Sequence, residues 1–352
     1  MGSYTGKDHV TAAFARELTD RVPVRVWYGI TVGALAAGVT AKQVRTEPQA
    51  YAQMTIKAQE VLHNDTVPVA AFDAVMFAEG VGDGLGLTQQ EIIDLARKGG
   101  YLLEDKATFA KFKLPDLMQK GRLPYYVEIC KILKSEIADA ALDVVITGPW
   151  TTAATLRGAE KLIYDTADDP GFVHDLVRHS TEYTKMIGAA IVEAGADIIT
   201  FGDPSSGTSV ISPAMFRKWS RPYLEETINY LKAKGATLCL HICGKVDPIM
   251  EDMVATGVDA ISIDGPSSLK RMVDISQGRV VTVGNAPTEL FVEGTKEQLE
   301  AVARDCIDTA AAGGAYILSS GCQIPENASL ENVLHFLEYA RQYGRYDRLR
   351  AS

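Results

Sequence analysis

The sequence predicts a (β/α)8 barrel, the TIM-barrel form of the α/β class. Short apolar runs alternate with stretches of helical periodicity, and eight such runs can be counted. The runs are apolar on both faces, as in a parallel sheet covered by helices. Eight parallel strands close into a barrel. An open doubly wound sheet is the alternative, but no Gly-x-Gly-x-x-Gly follows the first run, so a dinucleotide-binding version has no support.

The elements follow in order. Residues 8–20 read as an opening helix. Strands are expected at Val24–Tyr28, Val67–Phe72, Asp143–Thr147, Asp197–Phe201, Ala236–Ile242, Val258–Ile263, Arg279–Val283 and Ala315–Ser319. Helical stretches such as Glu182–Ala194 and Pro222–Lys234 precede most of them. Gly195, Gly235, Gly257 and Gly314 mark helix ends, where a left-handed residue is needed. Thr295 with Gln298 is a capping-box start for the helix before the last strand. The segment from 73 to 142, with its Gly80-Val-Gly-Asp-Gly-Leu-Gly86 run, is too long for a simple crossover. It reads as an insertion after the second strand, on a single barrel domain spanning 1–352.

Composition narrows the function classes. With 352 residues, 47% hydrophobic and 23% charged, a sizeable core is available. The formal net charge of −10 argues against nucleic acid or an anionic membrane as partner, because both reward Lys and Arg. Five cysteines in a long chain do not read as a disulfide framework. No apolar run is long enough to span a bilayer and no signal segment opens the chain. The expected setting is a reducing cytoplasm.

A barrel carries its chemistry at the C-terminal ends of its strands. The polar residues there are Asp73, Thr147, Asp203, His241, Cys243, Asp264, Asn285, Ser320 and Cys322. In Thr237-Leu-Cys-Leu-His-Ile-Cys-Gly244 the strand ends on His241 and Cys243. Residues two apart in a strand share a side, so both project together. Cys322 closes Ile317-Leu-Ser-Ser-Gly-Cys322 at another strand end. One imidazole and two thiolates suit Zn2+, with Asp264 or a water in fourth place. Cys130 and Cys306, on predicted helices, and Cys239, deeper in its strand, read as core. Zinc lowers the pKa of a bound thiol and keeps it as thiolate. Such a site suits S-alkylation, with hydrolysis by a zinc-bound water as the competing use.

These residues resemble the uroporphyrinogen decarboxylase superfamily, and within it the methylcobamide:coenzyme M methyltransferase branch. The resemblance covers nearly the whole chain. It rests on Asp20-Arg-Val-Pro-Val24, Asp203-Pro-Ser-Ser206, Ile211-Ser-Pro213, His241-Ile-Cys-Gly244, Gly284-Asn285, Glu293-Gly-Thr295, Gly321-Cys-Gln-Ile324 and Tyr343-Gly-Arg-Tyr346. It implies zinc on His241, Cys243 and Cys322. It also implies methyl transfer from a methylated corrinoid, carried on a corrinoid protein, to a small thiol such as coenzyme M. Cobalamin-independent methionine synthase has a similar ligand set, whose acidic slot falls on Asp264. Asp73, Asp203 and Asn285 are the implied substrate-side residues. The alternatives are a uroporphyrinogen decarboxylase-type decarboxylase, or a corrinoid methyltransferase that uses a non-thiol carrier. The decarboxylases carry an arginine-rich segment where this chain has Trp27-Tyr-Gly-Ile-Thr-Val-Gly33. A polycarboxylate substrate needs cationic partners that this stretch lacks.

Overall fold

The structure, a computed structural model, describes residues 4–40, 44, 47–71, 91, 94, 95, 98–114, 116–119 and 121–349. Its centre is one sheet of eight parallel strands. They are β1 (Val24–Arg25), β2 (Thr66–Ala70), β3 (Ala141–Thr147), β4 (Ile198–Gly202), β5 (Leu238–Ile242), β6 (Ala260–Ile263), β7 (Val281–Ala286) and β8 (Tyr316–Ser320). The order β1-β8-β7-β6-β5-β4-β3-β2 bends the sheet round until β1 faces β2. Helices lie between the strands, and the fold is the expected (β/α)8 barrel. All eight predicted strands are present, with ends shifted by a few residues. Among the described residues no helix is long and apolar enough to cross a membrane.

The seam between β1 and β2 is closed largely by side chains. Asn64 accepts from Val26 N–H at 2.8 Å and donates to Val26 C=O at 3.0 Å. Asp65 accepts from Val24 N–H at 2.7 Å, while its own N–H reaches Val24 C=O at 3.1 Å. The Arg21 guanidinium grips Asp65 with two bonds of 2.6 and 2.8 Å. This explains why β1 is shorter than Val24–Tyr28. Beyond Arg25 the backbone bonds go to Asn64 and, from Trp27 N–H, to Ser320 Oγ at 2.9 Å, in place of ladder partners.

The opening helix is Gly6–Ala15, capped by a reciprocal Thr5–Asp8 box. It ends five residues before the expected boundary, because Arg16 turns left-handed (φ +62°) and returns its N–H to Ala12 and Ala13. Val10 and Ala13 join Ala141, Ile198, Cys239, Ala260, Val281 and Ile317, so this helix plugs the N-terminal end of the barrel. Cys239 is core, as expected. Above this apolar floor lies a polar layer. Arg25 pairs with Asp143 and donates to Ser319 Oγ at 3.1 Å, and Thr200 Oγ donates to Asp143 at 2.7 Å.

The capping box at Thr295–Gln298 and the left-handed glycines at 195, 235, 257 and 314 are all present. Within the stretch expected as an insertion, the structure describes a 3-10 turn at Lys106–Lys111 and a helix at Leu123–Glu136. Phe72, Asp73 and the run Gly80–Gly86 lie outside the described residues.

The seam carries a stability prediction. Asp65→Ala removes a buried carboxylate and strands Arg21 and Val24 N–H. It is expected to destabilise by about 3 kcal/mol, read as a lower urea midpoint. Asp347→Ala, which breaks the exposed pair with Arg345 and a bond from Arg348 N–H, is expected to leave the urea midpoint nearly unchanged.

Candidate functional site

β5 delivers His241, and Cys243 follows one residue past the strand, on the same side. Gly244 then takes φ +74°, a region that favours glycine, and the chain bends away. Asp264, just past β6, holds that bend. Its two oxygens accept from Gly244 N–H at 2.9 Å and Gly265 N–H at 2.7 Å. Cys322 comes from the loop after β8. The preceding Gly321 lies so close to this clamp that a Cβ there would be 2.5 Å from Gly265 N and 3.0 Å from Asp264 Oδ1.

The three side chains converge. His241 is buried, with Nδ1 3.1 Å from Ser262 Oγ and Nε2 3.3 Å from Cys243 Sγ. Its ring meets Trp27 edge-on, with centroids 5.1 Å apart. Cys243 Sγ and Cys322 Sγ are 3.7 Å apart, both half-buried. The donor atoms of His241, Cys243 and Cys322 lie within 4.8 Å of one another. No other group of His, Cys, Asp or Glu among the described residues has this metal-ligand spacing.

The electrostatics are those of a paired thiol. A hydrogen bond from Cys243 lowers the Cys322 pKa, with further help from His241. The Cys243 pKa rises for the same reason, reinforced by desolvation and by the negative field of Asp264. The opposite directions have one cause, the hydrogen bond that joins the two sulphurs. Binding both as thiolates needs a cation between them, and two soft sulphurs with one imidazole are the donors of a thiophilic divalent ion. Ser262 engages Nδ1, leaving Nε2 free to face the sulphurs.

The other predicted site residues have different surroundings. Asp264 is not among the three residues whose donor atoms converge, and each of its oxygens accepts one backbone N–H. Asp203 is fully buried. It accepts from Thr151 N–H at 2.8 Å and from the Ser206 and Ser220 hydroxyls at 2.6 and 3.3 Å. Burial raises its pKa, partly offset by these bonds. It ties the end of β4 to the helix Pro149–Arg157. Asn285 donates to the Asp264 and Ser267 carbonyls at 3.1 and 2.8 Å, fixing the loop that carries Asp264. Asp73 lies outside the described residues.

The family described as uroporphyrinogen decarboxylase (URO-D) matches residues 5–343. The chain belongs to the URO-D family. Among its relatives is methylcobamide:CoM methyltransferase MtaA of Methanosarcina barkeri, 26% identical over 95% of this chain and 96% of that protein. Methylcobamide:CoM methyltransferase MtbA of Methanosarcina mazei is likewise 26% identical, over 97% of this chain and 99% of the relative. A solved methyltransferase structure from Methanosarcina mazei shares the fold with a TM-score of 0.83. It is 24% identical and covers 97% of this chain and 99% of its own.

In this URO-D family member, the three residues that converge are legible in the sequence, and what holds them is not. Ser262 sits two residues before Asp264, on the same side of β6, and that period-2 spacing was its signal. Trp27 stands two residues past Arg25 by the same logic.

Two outcomes are expected from this geometry. After chelation and mild oxidation with diamide, Cys243 and Cys322 should join as a disulfide, seen as one cross-linked peptide pair. Cys130, Cys239 and Cys306 are buried and should stay thiols. Cross-linking scattered over other pairs would contradict the arrangement. Gly321→Ala should displace Cys322 and slow this pairing by about tenfold or more. An unchanged rate would contradict the close packing at Gly321.

Proposed function

We propose that this chain is a zinc-dependent methyltransferase that moves a methyl group from a methylated corrinoid to a small thiol. The observation that carries the reading is the convergence of His241 Nε2, Cys243 Sγ and Cys322 Sγ within 4.8 Å at the C-terminal end of the barrel. The names of the full-length relatives supply the reaction class. Zinc held by these three residues would lower the pKa of an acceptor thiol and keep it as thiolate at neutral pH.

The chain's own groups have separable roles. Ser262 orients His241. Asp264 and Gly244 set the direction of Cys243, and the Gly321 contact sets that of Cys322. A water is the proposed occupant of the fourth position before the thiol arrives, since Asp264 is not among the converging side chains. The half-buried setting of the sulphurs limits hydration of the acceptor, which favours attack on a methyl group in an in-line displacement. The methyl group moves to sulphur, and the cobalt–carbon electron pair stays with cobalt. A separate corrinoid protein is the proposed donor, docking at the mouth of the barrel. The stretch 73–142, read as an insertion on one barrel domain, is proposed to shape one side of that mouth.

The decarboxylase alternative finds less support. The stretch Trp27–Gly33 has no arginine, and its Thr31 N–H is capped by the Glu326 carboxylate at 3.1 Å. An acidic group there disfavours a substrate with many carboxylates.

Purified without added metal, the protein is expected to carry about one zinc per chain, and Cys322→Ser to lose most of it. With methylcobalamin and a panel of small thiols, the wild type should demethylate the corrinoid. Cys322→Ser should be slower by about a hundredfold or more, with an unchanged circular dichroism spectrum. Metal-free protein that decarboxylates uroporphyrinogen, indifferent to Cys322, would overturn the proposal.

A further inference from the structure

Cys322 is carried on a loop that runs past the end of the sheet. The β1–β8 ladder stops at Arg25 and Ser319, and the β7–β8 ladder at Ala286 and Ser320. Beyond that, backbone bonds hold the loop on either side of Cys322. Gly321 N–H donates to Ala286 C=O at 2.7 Å, and Ile324 N–H to Trp27 C=O at 2.8 Å. The next anchor is a side chain. Glu326, four residues after Cys322, accepts from Thr31 N–H at 3.1 Å through Oε2, in the first turn of the helix Ile30–Ala37.

That helix has no cap of its own. Its N-cap is Gly29, which has no side chain to accept from the first-turn N–H groups. The Glu326 carboxylate supplies the acceptor from the Cys322 loop, and its negative charge suits the positive end of a helix. The fit is tight: a Cβ at Gly29 would lie 2.7 Å from Glu326 Oε1 and 2.7 Å from Gln323 Nε2. Both sides of this contact bear on the donor group. The segment that begins at Trp27 stands against His241, with ring centroids 5.1 Å apart. The loop that reaches Glu326 carries Cys322, whose Sγ lies 3.7 Å from Cys243 Sγ. We infer that the Glu326 carboxylate latches the Cys322 loop to the helix Ile30–Ala37 and so holds Cys322 against His241 and Cys243. Glu326 is a positioning residue, acting through the backbone between it and Cys322. Without the latch Cys322 spends less time beside Cys243, so the two thiols pair more slowly and a metal ion held between them leaves faster. The effect on metal rests on the proposed function, and the effect on thiol pairing does not.

Two rates measured on the full chain decide the matter. One is release of zinc to a chromogenic chelator from protein purified with its metal. The other is diamide-driven pairing of Cys243 with Cys322 after chelation. In Glu326→Ala zinc should leave about fivefold faster and pairing should slow by about fivefold, the size of a lost helix cap. Glu326→Gln keeps an acceptor oxygen and should stay within about twofold of the wild type in both rates. Glu326→Ala combined with Gly29→Ser separates a latch from a simple cap. Serine at 29 can cap the helix locally once the carboxylate is gone, and it ties nothing to the Cys322 loop. Pairing in this double variant should stay as slow as in Glu326→Ala. Wild-type pairing in Glu326→Ala, or its return in the double variant, would overturn the inference and leave the proposed function standing. Wild-type protein that carries no zinc would overturn the proposed function, and the pairing rates would still decide the latch.

Discussion

Two sulphur atoms 3.7 Å apart and half shielded from water repel one another as a pair of thiolates, and a cation between them would relieve that repulsion. Much of the barrel mouth is built to keep them that close. Gly244 and Gly321 bring the backbones in. The Asp264 carboxylate joins the loops after β5 and β6 by accepting from Gly244 and Gly265, and Asn285 braces the Asp264 loop from β7. Four strand ends are thereby tied to one geometry. The negative field of Asp264 adds to the cost of a thiolate on Cys243.

Beneath the mouth the barrel divides its work by depth. The floor is apolar and plugged by the opening helix. The middle layer holds Arg25 and Asp143, a buried pair that is stable because Ser319 and Thr200 supply further bonds. The top layer carries His241, Ser262, Trp27 and the two cysteines. The β1–β2 seam lies along this whole stack. Asn64 and Asp65 close it with side chains, which fixes β1 and with it the height of Trp27 beside His241.

Much of this arrangement was legible in the amino-acid pattern. Strand count, helix caps and the three donors follow from apolar runs, glycine positions and period-2 spacing, all local features. The contacts that needed the third dimension were not legible. Asp264 sits at a strand end like a ligand, yet two backbone N–H groups claim its oxygens. Asp203 looks equally exposed in sequence, and three protein donors bury it. The length of β1 was overestimated because side chains of Asn64 and Ser320, distant in sequence, take over its ladder bonds. Trp27 was read only for the arginine it is not, since its contact with His241 crosses the barrel.

The central claim is that His241, Cys243 and Cys322 hold a zinc ion with one place open to a thiol. Zinc K-edge X-ray absorption on the purified protein, before and after adding the thiol acceptor, tests it most directly. The account predicts two sulphurs at about 2.3 Å and two lighter ligands at about 2.0–2.1 Å in the resting protein. A third sulphur should replace one lighter ligand when thiol is added. A zinc shell that ignores the thiol, or one without two sulphurs, would contradict it.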